Sequence, residues 1–414
     1  MSNIIIPTQP DTEEKLSLMR EDAQYEVASD QDAERTALAS AAAVRSRPAP
    51  PKVPKLFLSG TCAFNCAYCG CRCGRDRSAT YCNTPAELAS LAVAQASANG
   101  HGVFVSSAIY KNADYTQELL AESVKIMRTE LGYHGFIHAK VMPGADPLLI
   151  AETGRYADRL SVNIEVAQSS GYQKIAKQKN RENILTPMGH IARQILGAKD
   201  ERQPFAVSQT TQLMAGSTGE SDRQIMALSA ALYKKYRLKR VYYTPFSYLH
   251  EAKGYEEEHL PLQKTPYWRM ARLYQADRLT QLYGFTPDDV TPESAPFLQE
   301  DLDPKAAWAL RHLDMYPVEV NRADYETLIR VPGIGVTSAR KILAARRHCT
   351  ITHDILRQMR VSLKRSAFFI TCDGRYSGGG ALSSLNLRSL LATGSRQMSI
   401  YAALSEGEPA AVQP

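Results

Sequence analysis

The sequence contains no apolar run as long as the roughly 18 residues that a membrane-spanning helix needs, so we expect no such helix. Residues 1–7 lack a basic segment followed by an apolar one, and therefore show no secretion signal. Cysteine is scarce outside one stretch, because six of the 8 cysteines lie between Cys62 and Cys82. That grouping is typical of metal chemistry in a reducing compartment rather than of a disulfide framework, and it predicts a cytoplasmic protein.

Net charge is also lacking from most of the chain. The 414 residues are 44% hydrophobic and 22% charged, which is typical of a globular protein with two or three domains. Between Lys305 and Ile370 there are 12 basic and 5 acidic residues, whereas the rest of the chain has 37 and 38. The positive excess therefore lies in one C-terminal segment, as expected for a polyanion-binding module attached to a near-neutral enzyme.

Cys62, Cys66 and Cys69 follow a short apolar run with the spacing C-x3-C-x2-C. A closed [4Fe–4S] cluster uses four thiolates, so three ligands in one loop would leave one iron open for a small molecule. Zinc is one alternative because C-x2-C pairs are common zinc ligands, although no second such pair follows. Inert thiols are another. Three more cysteines offer a fourth thiolate for a closed site: Cys71, Cys73 and Cys82.

Strand-like and helix-like segments alternate from residue 55 to about residue 250, which predicts parallel β/α units. Functional sites of such folds lie at the C-terminal ends of the strands, and the cysteines follow the first strand. The predicted strands are Lys55–Ser59, Gly102–Ser106, Gly135–Val141, Leu160–Val166, Phe205–Leu213 and Arg240–Thr244. The predicted helices between them include Pro85–Asn99, Gln117–Leu131 and Asp222–Tyr236.

A strand followed by a three-cysteine loop, with Tyr68 directly before the last cysteine, resembles the radical S-adenosylmethionine (SAM) enzymes. The resemblance implies an α/β fold, a partial (β/α)6 barrel, in which Cys62, Cys66 and Cys69 bind a [4Fe–4S] cluster and the open iron binds SAM. One electron, from a donor such as flavodoxin or ferredoxin, would then release a 5′-deoxyadenosyl radical. Tyr68 would lie against the adenine.

The fourth predicted strand alternates apolar and polar residues, which predicts that Asn163 and Glu165 face the barrel interior. An amide and a carboxylate there would hydrogen-bond a ribose diol or an α-amino group of SAM or substrate. The alternative is that Glu165 only pairs with Lys140 or His138 of the neighbouring strand.

Two further loops are predicted to contact SAM. Ser106 and Ser107 stand where many radical SAM proteins carry Gly-Gly-Glu, so a backbone contact would persist while the acidic residue is lost. Gly216 would let the backbone approach adenine or ribose. Helix caps are the plain alternative, by a serine in the first loop and by Ser221 in the second. Four cations after the fourth strand would bind substrate phosphates or form a solvated helix face: Lys174, Lys177, Lys179 and Arg181.

Residues 331–336, Val-Pro-Gly-Ile-Gly-Val, lie between two predicted helices and resemble the hairpin of the DNA-binding helix-hairpin-helix family. The glycines permit a tight turn and the apolar residues anchor it. Unpaired N–H groups at the start of the second helix suit a phosphate, so binding to duplex DNA would be largely sequence-independent. An αα-hairpin used for protein contacts is the alternative. The predicted DNA-binding residues are Gly333, Ile334, Gly335, Val336, Arg340 and Lys341.

Together the two motifs resemble a family of radical SAM proteins with a C-terminal helix-hairpin-helix, which is associated with DNA modification or repair. The predicted function is hydrogen abstraction from a flipped or single-stranded nucleotide. The alternatives are a tRNA-modifying radical SAM enzyme and a non-catalytic Fe–S or zinc DNA-binding protein. The predicted domains are a helical or flexible lead-in (1–50), the barrel (51–260), a connecting helix and linker (261–299), an all-α helix-hairpin-helix domain (300–370) and a flexible tail (371–414).

Overall fold

A computed structural model describes residues 10–23, 26–27, 53–75, 79–100, 102–201, 204–247, 261, 265–379 and 384–392. Most of the predicted lead-in, and the end of the predicted tail, lie outside these residues. The described residues form two compact units. Those up to residue 220 and those in 231–266 belong to the first, and those in 221–230 and from 267 onward belong to the second.

The first unit is built on six parallel strands in the order β1 to β6, so sequential strands are neighbours throughout. All six predicted strands are found, and the α/β fold class is confirmed. The strands are β1 (Lys55–Phe57), β2 (Val103–Ser106), β3 (Ile137–Lys140), β4 (Arg159–Ser161), β5 (Ser208–Ala215) and β6 (Arg240–Pro245).

Helices alternate with these strands, as the β/α pattern predicts. They are α1 (Thr12–Asp22), α2 (Pro85–Asn99), α3 (Ala113–Thr129), α4 (Pro147–Tyr156), α5 (Gly171–Ile175), α6 (Arg181–Glu201) and α7 (Asp222–Tyr236), which reaches into the second unit.

Local chemistry explains why α2 has the bounds that the sequence predicts. Thr84 accepts a hydrogen bond from the Glu87 N–H, and the Glu87 carboxylate accepts one from the Thr84 N–H, which forms a capping box. The helix ends at Gly100, whose φ of 68° is left-handed. Propensity and capping agree at both ends, so the prediction succeeds.

Strand β4 is shorter than predicted. It ends at Ser161, and Glu165 forms only an isolated bridge with Leu213 of β5. Glu165 has a φ of 61°, a left-handed conformation that breaks the extended strand. Val162, Ile164 and Val166 are each at most 2% exposed, but Asn163 and Glu165 are buried as well, at 8% and 3%, so burial does not alternate along this segment.

The second unit contains the predicted hairpin within a set of short helices. After α8 (Tyr267–Leu282) and α9 (Pro287–Val290) come α10 (Pro304–Arg311), a 3-10 turn (Leu313–Met315), α11 (Tyr325–Arg330), α12 (Val336–Ala345), α13 (His353–Gln358), α14 (Leu363–Ser366) and α15 (Ser384–Leu391).

The expectation that this part is all-helical needs a correction. A three-stranded sheet joins β7 (Val318–Glu319), β8 (Ile370–Cys372) and β9 (Arg375–Tyr376). Its last strand and α15 fall in the segment expected to be a flexible tail. Strand β8 follows α14 and pairs with β7 and β9, so the chain beyond Thr371 is part of the packed unit. No local sequence pattern predicted these strand pairings.

No helix in the described part of the chain is both long and apolar enough to cross a membrane.

Candidate active site and candidate nucleic-acid interface

A cavity of about 1080 Å³, its open mouth included, lies at the C-terminal ends of the parallel strands in the first unit. Eight of the nine residues that the sequence predicts to bind the cluster or SAM line it. They are Cys62, Cys66, Tyr68, Cys69, Ser106, Ser107, Asn163 and Glu165. Because a ligand site of an α/β fold is expected at this end of the sheet, the position agrees with a reaction site.

The cysteine loop, residues 62–73, is fixed by its backbone. The N–H of Ala63 donates to the Ile109 carbonyl at 2.7 Å, and the N–H of Ala67 donates to the Ile175 carbonyl at 2.8 Å. The N–H of Cys73 closes the loop onto the Phe64 carbonyl at 2.9 Å. These bonds fix the backbone of the loop, whose thiols Cys62, Cys66 and Cys69 line the cavity wall.

The thiols of the loop differ in how readily they ionise. Burial raises the pKa of Cys62 to about 11 and that of Cys66 to about 12. A hydrogen bond with Cys71 lowers the pKa of Cys69. Cys62 and Cys66 are therefore protonated near neutral pH until a positively charged group displaces their protons.

The other cysteines are placed unequally. Cys71 is buried and lines the same cavity, whereas Cys73 is exposed and Cys82 lies apart from the cavity wall. Among the described residues, no three His, Cys, Asp or Glu side chains are grouped as ligands of a single metal ion.

Glu165 is held by a lysine that comes from the following loop. Lys179 Nζ donates to Glu165 Oε1 at 2.7 Å and to the Tyr68 hydroxyl at 3.1 Å. Burial disfavours the charged form of Lys179, but the Glu165 carboxylate together with Cys66 and Cys69 outweighs burial and raises the lysine's pKa. Burial and the same carboxylate raise the pKa of Tyr68. A charged pair at the cavity wall thus joins the left-handed Glu165 to the cysteine loop.

Asn163 is engaged by a different lysine. Lys140 Nζ donates to Asn163 Oδ1 at 2.6 Å and to Glu26 Oε2 at 2.9 Å. The ion-pair partner of Glu165 is thus Lys179 of the following loop, whereas the alternative drawn from the sequence was Lys140 or His138. His138 Nε2 lies instead 2.9 Å from Ser161 Oγ.

Gly216 does not line the cavity. Its φ is 81°, and a Cβ at this position would lie 2.0 Å from Thr265 Oγ1, which donates to the Ala215 carbonyl at 2.8 Å. Close packing against Thr265 therefore accounts for this glycine. Ser221 and Gln224 bond each other across the first turn of α7, as a helix cap does.

The sequence did not reveal that Asp22 and Glu26 line the cavity. It also did not reveal that Lys140, another lining residue, pairs with Glu26. Sequence reasoning also grouped Lys179 with cations that are exposed, Lys174 and Lys177. The missed carboxylates lie far from the barrel in sequence, in a segment without a motif. Only the fold brings them to the wall.

The hairpin turn, residues 331–336, lies in the second unit. Gly333 has a φ of 89°, and a Cβ there would lie 2.7 Å from the Ser362 carbonyl oxygen and 2.9 Å from the Ser366 backbone nitrogen. The turn therefore packs against the start of α14, and only glycine fits. Ile334 is 1% exposed, whereas Val336 is only partly buried, so Ile334 is the stronger anchor.

Helix α12 begins directly after the turn with backbone donors that lack a side-chain cap. Gly335 is its N-cap and supplies no side-chain acceptor. Arg340 and Lys341 are exposed one turn later, and neither has an ion-pair partner among the described residues. These donors and charges are the groups that an anion at the helix start would meet.

A buried lysine holds the turn from below. Lys305 Nζ donates to the Ile334 carbonyl at 2.5 Å and lies 4.9 Å from the centre of the Tyr283 ring. Burial lowers the pKa of Lys305 to about 7. The carbonyl and the ring oppose that shift, because both favour the ammonium form.

No family model and no curated protein matches the sequence. Among solved structures, the chain is similar to the FeFe-hydrogenase maturase HydG from Carboxydothermus hydrogenoformans, with 14% identity and a TM-score of 0.40 over 65% of this chain and 64% of the maturase. The matched part thus spans less than two thirds of that protein. Methylornithine synthase (PylB) is similar with 15% identity and a TM-score of 0.41 over 66% of this chain and 74% of the synthase. Coproporphyrinogen III oxidase (HemN) from Escherichia coli, a radical SAM enzyme, has 14% identity and a TM-score of 0.34 over 60% of this chain and 56% of the oxidase.

Proposed function

We propose that this chain is a radical SAM enzyme that abstracts a hydrogen atom from a nucleotide in DNA. One observation carries the enzymatic part of the proposal. Three cysteines with C-x3-C-x2-C spacing, the tyrosine before the last of them and a left-handed glutamate line one cavity at the C-terminal ends of six parallel strands. Strained backbone at a charged side chain is typical of functional sites.

The residues present fit a cluster and SAM. Three thiols in one rigid loop are the donor set for three irons, and cluster ligands bind separate irons, so they need not converge on one ion. The same cavity presents hydrogen-bonding groups on Asn163 and Glu165 for the polar parts of SAM.

When bound, the cluster would supply the electron that cleaves SAM to methionine and a 5′-deoxyadenosyl radical. The chain's own residues orient the groups of the cavity wall and shield the cavity from water. Lys179 donates hydrogen bonds to both Glu165 and Tyr68 and so fixes Glu165 relative to the cysteine loop. The sheet interior beneath excludes water, since Val162, Ile164 and Leu213 are each at most 1% exposed. The target nucleotide would have to leave its stack to reach this cavity.

Cysteine variants test the cluster. We expect the anaerobically reconstituted protein to contain about four irons, to be brown and to cleave SAM after reduction. Cys66→Ala should lose the iron and the cleavage. Cys73→Ala, an exposed thiol of the same loop outside the cavity, should keep both. A colourless protein with one zinc, or equal behaviour of the two variants, would refute the enzymatic assignment.

The second unit supports DNA as the substrate. The hairpin turn presents uncapped N–H groups of α12 together with the exposed Arg340 and Lys341. Contacts of this kind go to phosphates and carry no base code. An electron donor such as flavodoxin or ferredoxin completes the proposed partners.

Binding to matched DNA and RNA duplexes tests the substrate class. We expect tighter binding to DNA, with a steep salt dependence. The double variant Arg340→Ala/Lys341→Ala should weaken binding uniformly across sequences and reduce the salt slope by about 2. The double variant Lys234→Ala/Lys235→Ala removes the same charge from another exposed pair and should not. Tighter binding to RNA would favour the tRNA-modifying alternative.

Turnover separates the enzyme from a non-catalytic binding protein. Anaerobic turnover with deuterated DNA should transfer deuterium to 5′-deoxyadenosine if hydrogen is abstracted from DNA. Unchanged DNA binding without any SAM cleavage would favour the structural or redox-sensing Fe–S alternative.

A further inference from the structure

A short part of the N-terminal segment, Glu26 and Val27, lies at the cavity of the first unit. Glu26 lines the cavity together with the cysteines. The segment therefore does more than cover the barrel, because it adds a carboxylate to the wall of the candidate active site.

The peptide unit that follows the Glu26 side chain is held by two hydrogen bonds. Lys55 Nζ donates to the Glu26 carbonyl, and the N–H of Val27 donates to Gln212 Oε1 at 2.9 Å. Gln212 is on β5, is 6% exposed and lines the same cavity. Val27 itself is 7% exposed. Two strands of the sheet thus fix where the Glu26 carboxylate stands.

The Glu26 carboxylate is bound on one oxygen only. Lys140 Nζ donates to Oε2 at 2.9 Å, and the side chains of this pair are 9% and 19% exposed. Lys140 is itself fixed by Asn163 Oδ1 at 2.6 Å. No described residue donates to Glu26 Oε1. A charged acceptor that is held by a buried lysine, with one oxygen left for the cavity, is preorganised for a hydrogen-bond donor.

We propose that Glu26 is a ligand-binding residue of this cavity, which Lys140 positions and whose Oε1 accepts from a hydroxyl or ammonium group of the bound ligand. The inference rests on the proposed function for the identity of that ligand. SAM carries both kinds of donor, and a nucleotide carries sugar hydroxyls and exocyclic amines. The shared chemistry is a hydrogen-bond donor beside the cysteine loop.

Lys140 cannot take that role itself, because an ammonium group donates hydrogen bonds and accepts none. An anionic ligand group that bound the remaining N–H of Lys140 would be repelled by the Glu26 carboxylate beside it, and neutralising Glu26 would then tighten anion binding. The two arrangements predict opposite effects of a Glu26→Gln substitution. The amide can still accept from Lys140, but it turns an N–H₂ donor toward the ligand's donor.

The test compares Glu26→Gln with Glu21→Gln, which removes the same charge from an exposed position near the end of α1, outside the cavity. Two probes distinguish the sources of the ligand: S-adenosylhomocysteine for the cofactor and a short single-stranded oligonucleotide for the substrate. Dissociation constants are measured by equilibrium dialysis on reconstituted and on iron-free protein. We expect Glu26→Gln to raise one of the two constants about tenfold, with iron content and melting temperature equal to those of Glu21→Gln.

Lys140→Met gives a second, independent measurement. It should weaken the same probe as Glu26→Gln, and the double variant should lose no more than the stronger single variant, because both act through one carboxylate. The proposal is overturned if Glu26→Gln binds both probes as the wild type does, if it binds either more tightly, or if the wild type binds neither. Failure of the wild type to bind iron would instead overturn the proposed function, while the dialysis of iron-free protein still decides the role of Glu26.

Discussion

Substitution of Gly333 by alanine tests whether the hairpin turn is built as the structure shows. The turn places this residue at a φ of 89°, and its missing Cβ faces two backbone atoms of the neighbouring helix start, Ser362 O at 2.7 Å and Ser366 N at 2.9 Å. Backbone atoms cannot swing aside as a flexible side chain does. Alanine therefore meets two separate penalties at one position.

The magnitudes of the two penalties are separable. A left-handed conformation costs a non-glycine residue about 1–2 kcal/mol. The steric conflict must shift the start of α14, and overpacking of this kind costs about 1–3 kcal/mol. Gly374 supplies the matched control, because its φ is 72° but no atom lies within 4 Å of a Cβ there. Gly374→Ala should therefore pay only the first penalty, so the two variants should differ by about 1–3 kcal/mol.

Tryptophan fluorescence measures this difference in the full chain. Both tryptophans, Trp268 and Trp308, lie in the second unit, so a urea titration followed by their emission reports the unfolding of that unit. Gly333→Ala should also weaken duplex DNA binding in fluorescence anisotropy, whereas Gly374→Ala should not. Equal urea midpoints for the two variants would show that the turn does not pack against α14.

Three further substitutions give expected outcomes. The Lys179 and Glu165 side chains are 12% and 5% exposed, so Lys179→Met leaves a buried carboxylate without its ion-pair partner. We expect this variant to lower the free energy of unfolding of the first unit by about 3–5 kcal/mol, measured by circular dichroism. Wild-type stability of the variant would contradict the ion pair. Burial lowers the pKa of Lys305 from 10.5 to about 7 in the folded state, so the unfolded chain binds more protons between these two pH values. The free energy of unfolding of the second unit should therefore rise with pH in this range, by at most about 5 kcal/mol. Lys305→Met should remove that slope in urea titrations, and a persisting slope would exclude this lysine. Gly216→Ala should destabilise the first unit, and Thr265→Ala, which removes the oxygen 2.0 Å from the new Cβ, should restore part of the loss, while the left-handed φ of 81° keeps its penalty of about 1–2 kcal/mol; no rescue would refute the packing.

The six strands and their order could be predicted from the sequence, because the signal for each strand is local and recurs in every β/α unit. Each strand is an apolar run between helices with their own caps, as the capping box at Thr84 and Glu87 illustrates. The end of β4 could not be placed, because the period-2 pattern continues through Glu165 although its backbone is left-handed. Apolar and polar residues alternate in the sequence whichever backbone conformation Glu165 adopts, so the pattern alone does not distinguish the two.

The candidate site was predictable where chemistry is concentrated in a motif and not where it depends on tertiary contacts. The cysteines and the polar residues after β4 reach the cavity from positions that the sheet order fixes. Glu26 reaches it through two hydrogen bonds of its peptide unit: the Glu26 carbonyl accepts from Lys55, 29 residues away, and the Val27 N–H donates to Gln212, 185 residues away. Lys179 was hidden among exposed cations, and only its contact with Glu165 separates it from them.

The charges of the two units differ in a way that bears on which unit would bind phosphates and which would recognise the reacting group. In the first unit, the two lysines of the cavity are each neutralised by a carboxylate, Lys179 by Glu165 and Lys140 by Glu26. Such paired cations have little attraction left for a phosphate, since an incoming anion must first displace a carboxylate at hydrogen-bond distance. In the second unit, by contrast, the exposed cations of α12 face solvent beside uncapped N–H groups. A polyanion would therefore gain its binding energy at the hairpin, while the cavity contributes oriented acceptors and discriminates the reacting group by hydrogen bonds rather than by charge.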